Sequence, residues 1–400
     1  MRRRTEAALA TAWGVACALV LSVAAMLPGC GGDGVDSGGT GVPAPTLAIG
    51  PVSGYGSIVV GGVHYDESAA IISDEEGRPL DAAALTLGAM TRIEGSTVAS
   101  SGGRLESTAR KIEVVEQIVG PIEELAPNAP EPTLTVLGQR VVVTPVTALA
   151  PRLDDLRVGD VVAVYGQFDV AGPRVVATRL ERRAAGGDYV LRAPVDRYER
   201  QQRTMSLGGI AVNLAELPDS ALPDTLPAGA LARARLRPAA AAPYVATALR
   251  RVDLMLADRD HVKIEGRISA LTSTRQFSVD GVPVDASGAS LPNDLSRLIV
   301  GARIEVEGRA VAGTIIAREV EFESEDGSDD QQLEIEGRIS ALDPQAKTFV
   351  LQRQVVAYGS ARFEDGGSEA DLALLPKLKV KGRLSADRTQ VVATTIKIDD

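Results

Sequence analysis

The sequence predicts an all-β chain built from small tandem barrels, and three observations carry that expectation. The octapeptide Ile264–Leu271 (IEGRISAL) returns unchanged at Ile335–Leu342, 71 positions further on. Val, Ile and Thr alternate with polar residues through most of the chain, the period-two pattern of half-buried strands. After the first 29 residues, no stretch of helix length sustains a 3.6-residue period.

The octapeptide opens a longer unit whose elements can be justified in turn. Val262, Ile264, Gly266 and Ile268 share one face of a first strand. Lys263, Glu265 and Arg267 share the other, so both Glu265 and Arg267 are expected in solvent and tolerant of alanine. Gly266 takes an inward position where a bulkier residue would add packing, which marks a bulge or a bend at a barrel corner; Gly337 repeats it. Phe277–Val284 (FSVDGVPV) follows. Asp280-Gly281 is a preferred type I′ turn pair, so Phe277 should face Val284 and Val279 should face Val282. A fourth strand with Ile304 and Val306 inward runs to Gly308, and Thr314–Glu321 closes the unit.

The same spacing extends back along the chain. Gly88 and Gly95 are seven apart, as are Gly159 and Gly166, and Gly301 and Gly308. The closing strand carries Ala109, Ala177, Ala246, Ala317 and Ala393, separated by 68, 69, 71 and 76 residues. Hairpins fall at Gly61-Gly62, Leu137-Gly138, Gly208-Gly209 and, in the last copy, Gln352-Arg353. The third copy has Leu236 in place of its second glycine, and the fifth has Leu375 in place of its first. Five strands in about 65 residues with bend glycines point to a small closed barrel akin to the OB-fold. Tandem immunoglobulin-like sandwiches are the alternative, but those need about seven strands and about 100 residues each.

The N-terminus has a separate reading. Arg2–Arg4 precede an apolar run from Ala7 to Leu27, the layout of a secretory signal peptide. The run ends in Leu27-Pro28-Gly29-Cys30, which resembles the lipobox of bacterial lipoproteins. That resemblance implies cleavage between Gly29 and Cys30, a lipid on the Cys30 thiol, and a cell-envelope location, with Gly31-Gly32 favouring the outer membrane, facing the periplasm or the surface. An uncleaved membrane-spanning helix is the competing reading of the same run. Of the two cysteines, Cys17 lies in the signal and Cys30 would carry the lipid, leaving no disulfide in the exported part.

The predicted organisation is a signal peptide over 1–29 and a lipidated Cys30 with a Gly-, Ser- and Pro-rich tether over 30–48. Repeats follow over 49–116, 117–182, 187–254, 259–323 and 333–400, with an acidic linker over 324–332.

Composition narrows function without naming it. Loss of residues 1–29 removes three arginines and one glutamate, so the formal charge moves from −11 to −13 and Trp13 goes. An acidic chain repels phosphate backbones, and five Phe and seven Tyr offer little stacking surface. No nucleic-acid partner is expected. His64 and His261 fall in different repeats and are expected at the surface. No nucleophile elbow, metalloprotease helix or phosphate loop is present. The acidic run Glu321–Asp330 fails the EF-hand template, because Gly327 at loop position six puts Phe322 first and Leu333 last. No metal and no cofactor are expected.

The repeat resembles the bacterial "domain of unknown function 5666" family, on Gly266, Phe277–Val284, Leu298–Gly308 and Ala317–Val320 with their counterparts. Ser53–Asp66 also resembles how such proteins begin. The resemblance spans about Ile49 to Ile398 and lends no catalytic residue. The expected protein is therefore a non-enzymatic, lipid-anchored envelope protein whose barrels act as spacers or binding modules, with a membrane contact through Cys30 and an envelope protein or glycan as partner. The alternatives are an envelope hydrolase using outward Asp and Glu side chains and, further off, an OB-type oligosaccharide or nucleic-acid binder.

Overall fold

A computed structural model describes residues 46–252, 256–324 and 332–399. The signal peptide, Gly29, Cys30 and most of the acidic linker lie outside the described residues.

Five barrels follow one another, each with the same strand plan. In the fourth repeat the strands are Arg259–Ser273, Gln276–Val279, Val282–Asp285, Arg303–Val311 and Thr314–Phe322. The first pairs antiparallel with the second, and the second with the third, with Phe277 facing Val284 and Val279 facing Val282 as the turn predicts. The third runs parallel to the fifth, the fifth antiparallel to the fourth, and the fourth antiparallel to the first. That ring, in the order 1-2-3-5-4-1, is a closed five-stranded barrel of the OB type. A 3₁₀ turn at Leu295–Arg297, rather than a helix, joins strands three and four. The other four repeats close through the same set of pairings.

The repeated spacings have local physical causes. All five hairpin turns, Gln352-Arg353 included, hold both central residues at positive φ, the type I′ geometry whose twist matches the flanking strands. The second member of each seven-residue spacing sits opposite the closing-strand alanine, where the register slips: Gly95 with Ala109, Gly166 with Ala177, Leu236 with Ala246, Gly308 with Ala317, Gly382 with Ala393. A Cβ on Gly308 would lie 2.2 Å from the Ile316 carbonyl oxygen, so the bulge leaves no room for a side chain there. The first member is a left-handed residue in every copy where it is named, including Leu375 at φ 50.

Gly266 is explained differently from a simple bend. A Cβ there would meet the Asp280 carboxylate at 2.5 Å and Val279 at 2.6 Å, because the hairpin tip folds back over the strand. Gly120 and Gly337 face Leu137 and Gln352 in the same way. In the third repeat the sizes are exchanged, with Ala193 on the strand and Gly208 in the turn.

Each barrel keeps its own apolar interior, yet the barrels are not beads on a string. Leu47–Ile49 of the first repeat runs parallel to Val262–Ile264 of the fourth, and Gly54-Tyr55 pairs with Glu334-Ile335 of the fifth. The second and third repeats join through Ile118-Val119 and Val190-Leu191 and share one continuous core. Val119, Ala163, Tyr165 and Val190 also pack against the core of the first repeat, while Leu87 of the first repeat lies in that of the fifth. The first repeat is thus the hub on which the other four dock.

Two expectations need correction. The first strand begins at Thr46 rather than Ile49, with Thr46, Leu47 and Ala48 buried, so the last three residues assigned to the tether belong to the fold. Glu265 and Arg267 do point away from their barrel, but neighbouring repeats cover them: Glu265 is 7% exposed and Arg267 3%. Alternation specifies which side of the strand a residue takes, and it carries no information about what covers that side.

Candidate binding cavities between the repeats

Docking on the hub leaves charged side chains facing one another between barrels. The loop Asp74-Glu75-Glu76 of the first repeat enters an arginine cluster on the third. The Glu75 carboxylate lies 2.8 Å from Arg233 Nε, 3.4 Å from Arg192 and 2.5 Å from Arg250, and Glu76 takes Arg235 Nε at 3.1 Å and Arg233. Strand four of the third repeat presents Arg233 and Arg235 at alternate positions and so on one face, while Arg192 comes from strand one and Arg250 from strand five. Buried ion pairs of this kind fix geometry more than they add stability, since desolvation offsets most of the attraction.

The first cavity lies where repeats one to four meet and has a volume of about 100 Å³. Met90, Phe168, Val279 and Val282 supply apolar wall, and Arg92, Arg192 and Asp280 supply charge. Asp280 comes from the first position of the fourth hairpin turn, occupied in the other repeats by Gly61, Leu137, Gly208 and Gln352. Its carboxylate accepts one hydrogen bond, from the Arg267 backbone N–H at 3.2 Å. Desolvation pushes its pKa up to about 6, against the opposing pull of that N–H and of Arg192.

The second cavity, about 290 Å³, opens between repeats one, two, four and five. Glu265, Glu305, Glu323, Glu334, Arg303 and His64 line it. Arg303 Nε donates to Glu265 at 2.8 Å, and Glu305 takes Lys263 at 2.8 Å. Burial, then the charge of Glu265, pushes Glu323 up to about 7. Burial also raises Glu305.

His64 is not the surface residue expected from its strand. It is 9% exposed, with Nδ1 3.0 Å from Arg104, and burial followed by that guanidinium lowers its pKa. Arg104 itself spans to the fifth repeat, reaching Glu334 and Glu336 at 3.1 Å each. His261 is half-buried beside Glu307 at 3.9 Å. The two histidines remain in separate repeats and share no site. Among the described residues no three acidic, His or Cys side chains converge as metal ligands. Cys30 lies outside the described residues.

Both cavities draw on several repeats, so neither lies within a single unit, and the sequence of one unit does not reveal them. By sequence alone Asp280 is a turn former and Glu265 a charge on the outer face of its strand; the one signal available is that Asp280 is the sole carboxylate among the five turn pairs.

The model of the family described as "Domain of unknown function (DUF5666)" matches residues 119–181, 265–321 and 336–397, which fall in the second, fourth and fifth barrels. Three of the five barrels thus match one family model, consistent with repeats of that family. The first and third barrels lie outside the matched residues and share the strand plan of the matched three. No curated protein matches the chain. The solved structure titled "drosophila Unr CSD456" aligns over 57% of this chain and 99% of its own at 12% identity, with a TM-score of 0.13, too loose to carry an argument.

Proposed function

We propose that the protein is a non-enzymatic, lipid-anchored binding protein of the cell envelope, held by Cys30 to the outer membrane and acting through one composite body. The observation that carries the binding half is the hub arrangement. Repeats that served as spacers would gain reach by standing end to end, whereas these four dock around the first and enclose charged cavities between them. The anchor rests on Arg2–Arg4, the apolar run and Gly29-Cys30. Several acyl chains at one residue give stable anchoring, at roughly 0.8 kcal/mol per buried CH₂. Among the described residues no helix is long and apolar enough to cross a membrane. An envelope protein or glycan remains the partner class proposed for the outer surface, with no nucleic acid and no cofactor.

Labelled palmitate tests the anchor. Expressed in a Gram-negative host, the protein should take up label and sediment with membranes, and Cys30→Ala should lose both. Membrane association retained by Cys30→Ala would mean that the apolar run stays as an uncleaved helix.

One observation favours the hydrolase reading: burial pushes Glu323, on the wall of the second cavity, up to about 7, where a carboxyl can exchange a proton near neutral pH. Hydrolysis of purified peptidoglycan by the wild type and not by Glu323→Gln would establish it over the binding reading.

A further inference from the structure

The cavity between repeats one to four contains two charged side chains that the packing does not use. Among the described residues the Asp280 carboxylate has no cation within 4.0 Å and a single backbone hydrogen bond. The Arg92 guanidinium lines the same cavity with no hydrogen bond or ion pair among the described residues. Their neighbours behave differently. Glu75, Arg192 and Arg250 are tied to one another, and Glu265 is tied to Arg303. Both side chains are half-buried; a partly desolvated charge without a partner is costly unless a ligand or water supplies one, and here one of each sign lines the same space.

The wall between them is apolar. Ile49, Met90, Phe168, Val279 and Val282 offer aliphatic and ring carbon with no polar atom on the side chain. A volume of about 100 Å³ is somewhat below the ~150 Å³ of a cavity that takes benzene, so the enclosed part of a ligand is limited to roughly four to six heavy atoms. A metal ion does not fit this setting, since one unpaired carboxylate in a cavity also lined by guanidinium groups makes a poor cation cage.

We propose that this cavity binds a small zwitterion with a short apolar body, its ammonium group on Asp280 and its carboxylate on Arg92. Both ends then form charge-assisted hydrogen bonds in a partly desolvated site, while the body replaces cavity water against Met90, Phe168 and the two valines. Asp280 is a specificity-determining residue in this reading, because the equivalent turn positions Gly61, Leu137, Gly208 and Gln352 carry no charge. One barrel alone could not hold such a ligand, since Arg92 belongs to the first repeat, Phe168 to the second and Asp280 to the fourth. The inference deepens the binding reading and is independent of the lipid anchor, so a failed palmitate experiment leaves it standing.

Calorimetric titration of the purified full-length protein tests it with four probes: L-valine, 5-aminovalerate, isobutylamine and isobutyrate. The first two carry both charges at different separations, and the last two carry one each. One of the two zwitterions should bind at least tenfold more tightly than either single-charge probe. Asp280→Asn should weaken that zwitterion at least tenfold and leave isobutyrate unaffected; Arg92→Gln should weaken it similarly and leave isobutylamine unaffected. Asparagine is favoured at the first position of a type I′ turn, so Asp280→Asn keeps the hairpin, and an unchanged melting temperature checks this. Absence of binding by both zwitterions, or binding equal in wild type and both folded variants, would overturn the proposal. Tight binding of isobutylamine alone, lost in Asp280→Asn and indifferent to Arg92→Gln, would replace it with a site for a simple amine.

Discussion

The two copies of IEGRISAL occupy the same place in their barrels and opposite places in the molecule. In both, the isoleucines and the glycine are buried in the barrel wall. In the fourth repeat Glu265 and Arg267 are buried as well, under the first strand of the hub and the Gln167 side chain, whose Nε2 donates to the Glu265 carbonyl at 3.2 Å. In the fifth repeat Arg338 is exposed, and Glu336 is half-buried among Arg104 and Lys377. Eight identical residues therefore share a local structure and differ in surroundings. The lesson is that the octapeptide encodes a barrel strand, and its outer face is available either to solvent or to a neighbouring repeat.

Paired substitutions turn that comparison into measurements. The largest effect is expected at the Glu265–Arg303 contact, where both side chains are nearly fully buried. Glu265→Ala should lower the urea unfolding free energy by about 3–5 kcal/mol, because it leaves a buried guanidinium facing the space its carboxylate filled. Glu336→Ala, at a solvent-screened site, should cost less than about 1 kcal/mol. Equal losses at the two positions would mean that the neighbouring repeats do not seal the fourth.

The glycines come next. Gly266→Val forces a Cβ into Val279 and the Asp280 carboxylate, and should cost about 1–3 kcal/mol by overpacking. At Gly337 the backbone stands at φ +159, which an L side chain rarely adopts, so Gly337→Val adds backbone strain to its contact with Gln352 and should cost at least as much. Thermal melts of the two variants measure both losses, and an unchanged melting temperature for Gly266→Val would reject the hairpin-tip explanation.

The smallest effect is a slope with pH to which two carboxyls of the fourth repeat, Asp280 and Glu323, contribute. Asp280 and Glu323 have folded-state pKa values of about 6 and about 7, above their ordinary values of 3.8 and 4.5. The native state therefore binds more protons than the unfolded chain between about pH 4 and pH 7, and stability falls as pH rises through that window. Desolvation by burial is the main cause of both shifts, and the groups facing them, Arg192, Arg267 and Glu265 at Asp280 and Glu265, Arg303, Glu305 and Glu321 at Glu323, modify it. After allowance for solvent in the cavities, each contributes about 1 kcal/mol. Asp280→Asn and Glu323→Gln should each flatten the urea-midpoint slope over pH 4–7, with no matching change from carboxylates of the fifth repeat.

What the sequence determined by itself was the unit. Strand alternation, the Asp280-Gly281 turn, the seven-residue spacing and the closing alanines are all short-range signals, and each corresponds to a short-range constraint: twist, a left-handed residue, a bulge without space for a side chain. Even the diverged copies followed the plan, because Gln352-Arg353 and Leu375 adopt the backbone that glycine adopts elsewhere. The order of strands around the barrel follows from the same signals, since a hairpin and a parallel crossover leave few ways to close five short strands. Tertiary structure alone decided what lies between units. Pairing of Leu47–Ile49 with Val262–Ile264 joins segments more than 200 positions apart, and nothing in either segment's alternation names its partner. The fates of Glu265, Arg267, His64 and Asp280 were settled there, because a strand's sequence sets the direction of a side chain while burial and charge environment are set by whichever surface arrives to cover it.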